Sequence, residues 1–366
     1  MLFPYKYVPH QMEKMQEFID FIFYEVWCKA RNTEYGLHLY EPKPGLHSIM
    51  GEFFKLDLAE KLKEGAAKFF YEGVNEIYNE FKTLNNDEIQ DYKQKFDANN
   101  RIEEACRGEV GIMPATYASL NPVKETLNKK IEEFFKKLYS SGFFGLEIVK
   151  EHTESTLGEY YKSFVRENDD GACPFCGLMP IDGEFDPTRE AFDHYLPKGK
   201  YPFNSVNLKN LAPSCNKCNS GNKRDTDPLH DKKNKRRKAF YPFSGVQPDI
   251  SITVSIKDKS WSSLTPEKLS VDIQSNRFPC ETETWKTLFQ IEQRYAAKCC
   301  NKNGGLYWAN RVLDEHQNYK LSRLEMLDAE VRIATTSPWL EANFLKKAFL
   351  EGCQRVGLFN ETVEGA

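Results

Sequence analysis

Apolar residues recur every three or four positions through most of the first 165 residues. Met15, Phe18, Ile19, Ile22, Phe23, Val26 and Trp27 share one face of residues 11–31, the period of an amphipathic helix. The same spacing predicts helices over 55–83, 87–106, 122–139 and 154–167. In the third of these, Asn121 stands as a cap and Pro122 at the first helical position. Leu127, Ile131, Phe134, Phe135 and Leu138 then line one face. The texture changes at Asn168-Asp169-Asp170-Gly171, a turn-forming cluster. From there to residue 244, Pro, Asn, Gly, Cys and Lys dominate. Such a stretch is too poor in apolar residues for an ordinary core, which points to a metal-stapled module. Two alternating runs, 250–256 and 268–273, predict half-buried strands. Helical spacing returns over 285–300, 306–335 and 339–356. The expected fold is mainly α with a small α+β insert, divided into a helical domain (1–167), the stapled module (168–245) and short strands followed by helices (246–366). The aromatic stripes of the helical flanks read as core.

A length of 366 residues fits two or three domains. With 40% hydrophobic and 13% aromatic residues, the chain is not of the disordered class. No window approaches the run of about 18–20 apolar residues that a membrane span requires. Residues 1–11 lack the apolar stretch and small-residue cleavage site of a signal peptide, so the expected location is cytoplasmic. In a large cytosolic chain, cysteines in close pairs favour metal over disulfides. The net charge of −4 argues against a polyanionic partner, but it is an average. Between Lys198 and Lys238 twelve basic residues face three acidic ones, a local +9 against −13 for the rest of the chain.

Two Cys-x-x-Cys knuckles carry the clearest chemistry. Cys173-Pro174-Phe175-Cys176-Gly177 suits a tight turn whose thiolates grip one ion, and Cys215-Asn216-Lys217-Cys218 suits a helix start. Four thiolates make a closed tetrahedral site of the structural Zn²⁺ type, with no position left for substrate. Between and after the knuckles lie Asp193-His194, then Asn210-Leu211-Ala212-Pro213, then Asn219, Asn222 and Lys223. An Asp-His pair alone is usually a surface or capping feature. Framed by two knuckles and followed by these Asn positions, it becomes a specific pattern. His230 is the one other histidine close to it. His10, His38, His47, His152 and His316 read as surface or core residues.

Over residues 170–245 this pattern resembles the HNH endonucleases, the zinc-knuckle branch of the ββα-metal nucleases. Lys198–Phe203 and Phe240-Tyr241-Pro242-Phe243 add a likeness to stand-alone HNH nucleases of bacterial anti-phage defence, such as the nuclease subunit of Septu and retron systems. The segment holding Leu288 and Gln293-Arg294-Tyr295 resembles the tail of such proteins. The resemblance implies a ββα module in which His194 is the general base and Asp193 and Asn219 bind a catalytic Mg²⁺ or Mn²⁺. It implies that Asn210 orients the imidazole. Lys223 falls one residue later than the family pattern places its lysine, which leaves Asn222 as a lesser candidate ligand. The basic stretch adds Lys198, Lys200, Lys223, Arg224, Lys233, Arg236 and Arg237 as phosphate contacts. DNA is the expected substrate, read with little sequence preference, with RNA open. So is a zinc-stabilised adaptor that binds nucleic acid without cutting it. A control layer, such as a regulatory ATPase partner, follows from the danger of an unspecific nuclease.

Overall fold

His10 opens the helical region, accepting a bond from the Met12 N–H while the Glu13 carboxylate returns to the His10 N–H. The computed structural model describes residues 1–257 and 263–360. Helix α1 (Lys14–Phe21) runs straight into a wider π turn, Ile22–Trp27, which keeps Ile22, Phe23, Val26 and Trp27 all buried. The helix expected over 55–83 is two helices, α2 (Pro44–Leu58) and α3 (Ala66–Phe81). They separate at 59–65, a charged stretch ending in Gly65 at φ 144. Asn85 and Glu88 form a capping box on α4 (Asn86–Asn100), and Arg101 interrupts the chain before α5 (Ile102–Arg107). Asn121 does not cap a helix at Pro122. Its side chain closes a turn on the Val123 N–H, and α6 begins later (Glu125–Leu138). Then come α7 (Glu147–Thr153) and α8 (Leu157–Glu167), the latter with a Thr156–Glu159 capping box. Helices α3 and α6 pack closely because Gly73 has no side chain, and a Cβ there would lie 2.7 Å from the Phe134 ring.

Strand β1 (Phe192–His194) pairs antiparallel with β2 (Leu211–Pro213), with Asp193 opposite Ala212 and His194 opposite Leu211. A short π-type helix, Lys217–Lys223, follows. A second antiparallel pair, β3 (Ser251–Ile256) and β4 (Leu269–Gln274), lies within a residue of the expected runs. The helix expected over 285–300 starts earlier and is broken, giving α9 (Pro279–Phe289) and α10 (Ile291–Cys300) around Gln290 in the left-handed region (φ 51). The helix expected over 306–335 is likewise two, α11 (Gly305–Leu313) and α12 (Arg323–Thr336), parted by the polar stretch 314–322, and α13 (Asn343–Arg355) follows. The protein is thus mainly helical with few, short strands.

The apolar core is continuous across all three expected segments. Phe203, from the loop joining β1 to β2, inserts between Phe23, Phe96 and Phe135 of the helical region, with ring centroids 5.2–5.7 Å apart. Its φ of +75 is costly for a bulky residue and is held there by this packing. Residues 1–8, which show no period in the sequence, form a strap. The Leu2 N–H reaches the Pro174 carbonyl, and the Tyr5 N–H and hydroxyl reach the carbonyls of Pro242 and Pro213. Among the described residues no helix is long and apolar enough to cross a membrane.

Candidate functional site

Cys173, Cys176, Cys215 and Cys218 are all buried, with their sulfurs within 4.8 Å of one another. The first knuckle is a tight turn in which the N–H groups of Cys176 and Gly177 both bond the Cys173 carbonyl. In the second, the N–H groups of Cys218 and Asn219 bond the Cys215 carbonyl. Helices α9 and α10 clamp the first knuckle: Trp285 Nε1 donates to the Phe175 carbonyl (2.6 Å) and the Tyr295 hydroxyl to the Cys176 carbonyl (2.9 Å). Arg294 Nη1 lies 3.3 Å from Cys218 Sγ, where its charge offsets thiolate charge. This is a closed cluster compatible with a structural metal. Gly177 sits at φ +64, and a Cβ there would lie 2.6 Å from the Phe344 ring. Gly177→Ala is therefore expected to destabilise the protein by about 1–3 kcal/mol through strain and overpacking, read by thermal unfolding.

Asp193 and His194 are neighbours on β1 and point into different surroundings. Asp193 is buried. Lys223 Nζ donates to its Oδ1 (3.0 Å) and to the His194 carbonyl (2.9 Å), while its Oδ2 is buried without a partner. Burial raises the Asp193 pKa and the Lys223 charge opposes that rise. The His194 ring meets the Ser205 carbonyl through Nε2 (2.9 Å) and the Tyr139 ring edge-on, with centroids 4.7 Å apart. Nδ1 has no hydrogen-bond partner among the described residues, and the side chain is half-buried. Burial pushes the imidazole down to about 3, helped by Lys198 and Lys223 and opposed by the bond to Ser205. It is neutral at pH 7.

Asn210 does not touch the imidazole. Its Oδ1 accepts from the Leu196 N–H (2.7 Å), and its Nδ2 donates to the carbonyls of Leu196 and Asn204 and to Asn204 Oδ1. It ties the two ends of the loop that presents Ser205, so the histidine's partner is a backbone carbonyl that no side-chain pattern announces. Asn219 is half-buried and its amide forms no hydrogen bond among the described residues. Asn222 donates its amide to the Lys217 carbonyl of its own helix.

The basic residues divide into two groups. Lys223 is fully buried on Asp193 and cannot meet a phosphate in this arrangement. Lys198 donates to the Lys136 carbonyl (2.9 Å) and Ser140 at the end of α6. Arg236 bonds the carbonyls of Leu229, Arg237 and Ala105, and Arg237 bonds that of Asp227. Carbonyls left unpaired at helix ends and in loops accept these hydrogen bonds, which ties the cations into the fold. Lys200, Arg224 and Lys233 remain exposed. His230 belongs to a structural cluster, with Asp227 accepting both from the Tyr201 hydroxyl (2.8 Å to each oxygen) and from the Leu229 N–H.

Tyr139 and Ser205, which give the imidazole its ring contact and its hydrogen bond among the described residues, escaped the sequence reading. Tyr139 stands at the end of an amphipathic helix, 55 residues before the histidine, with nothing local to connect them. No protein-family model matches this chain, and neither curated proteins nor solved structures yield a significant match.

Proposed function

We propose that the chain is a metal-dependent endonuclease of the HNH type, hydrolysing phosphodiester bonds of DNA with little sequence preference. The observation that carries this reading is the pair on β1. An imidazole held by its Nε2, with Nδ1 unpartnered, stands next to a buried carboxylate with one unpartnered oxygen. The order of strand, strand and short helix, with Asp193 and His194 on the first strand and Asn219 on the helix, supports a ββα-metal module. The four-cysteine cluster is read as a structural Zn²⁺ site.

In this mechanism the Ser205 carbonyl accepts the Nε2 proton and so fixes the neutral tautomer with its lone pair on Nδ1. That nitrogen takes a proton from the water attacking phosphorus. Asp193 Oδ2, buried without a partner, and the Asn219 amide oxygen, which makes no hydrogen bond among the described residues, are the hard donors that would hold Mg²⁺ or Mn²⁺. When bound, the cation supplies charge against the negative charge growing at phosphorus and the leaving oxygen. Lys200, Arg224 and Lys233 hold the nucleic-acid backbone. The paired double variant Arg224→Ala/Lys233→Ala is expected to flatten the slope of log affinity against log salt by about 0.9 per lost contact. Titrations of a labelled duplex across salt concentrations read this, and an unchanged slope removes both residues from the interface.

The test is cleavage of plasmid DNA and of labelled RNA side by side, with Mg²⁺, Mn²⁺ or EDTA. DNA cleavage that needs the divalent ion is the expected result, and cleavage of RNA alone moves the substrate. A second reading, a zinc-stabilised nucleic-acid-binding adaptor, is favoured by the Lys223 ammonium that already neutralises Asp193. Duplex binding with no cleavage by either ion would establish that one. A cytoplasmic nuclease of low specificity needs restraint, so the proposal includes a role in anti-phage defence under a trigger or a partner such as an ATPase.

A further inference from the structure

The general base of the proposed reaction is held from outside its own module. Tyr139, one residue past the end of α6, sets its ring at 87° to the His194 ring with centroids 4.7 Å apart. Lys198, four residues after the histidine, lays its Nζ 5.7 Å from the centroid of that same Tyr139 ring and bonds the α6 carbonyl of Lys136. Helix α4 grips the other end of the loop. Asn99, fully buried, donates to the carbonyls of Ala115 and Pro202, and its own carbonyl accepts from Asn204 Nδ2 (2.9 Å). Asn100 Oδ1 accepts from Asn207 Nδ2 (2.9 Å). Ser205, whose carbonyl holds Nε2, lies between Asn204 and Asn207.

We infer that the helical region 1–167 completes the catalytic centre, and that Tyr139 is a positioning residue for His194. This rests on the nuclease reading above and extends it to a region that the sequence left without a role. Edge-to-face rings attract through the positive rim of one and the negative face of the other, a preference with direction. The Ser205 bond fixes one atom of the imidazole, which leaves rotation about the line through that bond. The Tyr139 ring closes that rotation and so aims Nδ1. A base must lie within hydrogen-bond reach of the proton it takes, so a ring free to swing spends most of its time misaligned. The same contact makes α6 a lever: anything that shifts its last turn shifts the base.

The experiment compares Tyr139→Ala and Tyr139→Phe with the wild type in the full chain. Tyr139→Ala is expected to lower kcat about tenfold with KM held within about twofold, since phosphate contacts are untouched. Tyr139→Phe keeps the ring and is expected to retain wild-type kcat. The second readout needs no activity: ¹⁵N-edited imidazole spectra should show His194 as the Nε2–H tautomer in wild type and Tyr139→Phe. In Tyr139→Ala its signals should broaden or split. Wild-type kcat and an unchanged His194 spectrum in Tyr139→Ala overturn the inference. So does an equal loss in both variants, which would assign the effect to the hydroxyl. If the wild type cuts nothing, the nuclease reading fails, and the spectra still decide whether Tyr139 positions the ring.

Discussion

His194→Ala is expected to lower Mg²⁺-dependent plasmid cleavage by at least about 10²-fold, the lower end of what a general base contributes. That corresponds to about 2.7 kcal/mol of transition-state stabilisation. Duplex affinity and metal content of the four-cysteine cluster should stay at wild-type values, because the exposed cations and the thiols make no contact with the ring. Cleavage by the variant at the wild-type rate would end the catalytic assignment. The pH dependence adds a second check. In the unfolded chain this imidazole titrates near its ordinary 6.5, whereas burial in the fold pushes it down to about 3. Between those values the unfolded state binds the proton and the folded state does not. Stability from this group is therefore lost as pH falls through that window. Urea unfolding at pH 7 and pH 5 should show the wild type losing more stability than His194→Asn.

Cys176→Ser is expected to empty the four-sulfur cluster and unfold the segment around it. Metal binding to such sites is folding free energy, on the order of 10–16 kcal/mol in small zinc domains at pH 7. The segment 168–245 has strands of only three residues each in β1 and β2, but it also buries Phe192, Tyr201, Phe203 and Val206 in the continuous core, so the loss is expected to centre on the knuckles themselves. Elemental analysis should find one zinc per chain in the wild type and close to none in the variant, with a large fall in melting temperature. Dialysis of the wild type against a strong chelator should reproduce the melting change, and added Mg²⁺ should not reverse it. That irreversibility by Mg²⁺ separates the ion of the cluster from the divalent ion of the proposed reaction. A wild type purified without metal, or a variant with an unchanged melting temperature, would refute the site.

The cluster was legible because thiol ligands come in local pairs, and a metal brings two such pairs together whatever the loop between them does. That Asp193 and His194 share one strand was legible too, since they are neighbours in sequence, and their roles rest on the proposed function. The orienting partner of the imidazole was not. Asn210 carries the polar side chain, yet Ser205 supplies the atom, and a backbone carbonyl has no residue type. Charge was legible in sum but not in direction: Lys198, Lys223, Arg236 and Arg237 turn to carbonyls and carboxylates of the fold, and only tertiary packing decides that. The helical regions were read correctly in kind, whereas their breaks at 59–65, Arg101, Gln290 and 314–322 were missed. Of these only the first carries a glycine, Gly65, and the others have neither the glycine nor the proline that usually marks one.

The strap of residues 1–8 also bears on how the molecule is made. Its bonds to Pro174, Pro213 and Pro242 join positions far apart in sequence, Tyr5 and Pro213 being 208 residues apart. Contacts of such separation slow folding, because a long stretch of chain must be ordered before they form. During synthesis the strap has no partner until the central segment has emerged. The β1–β2 loop, in turn, needs Phe203 seated among helices made earlier. A chain released before residue 174 therefore leaves the strap without any of these partners, so such incomplete copies are expected to be open to proteolysis.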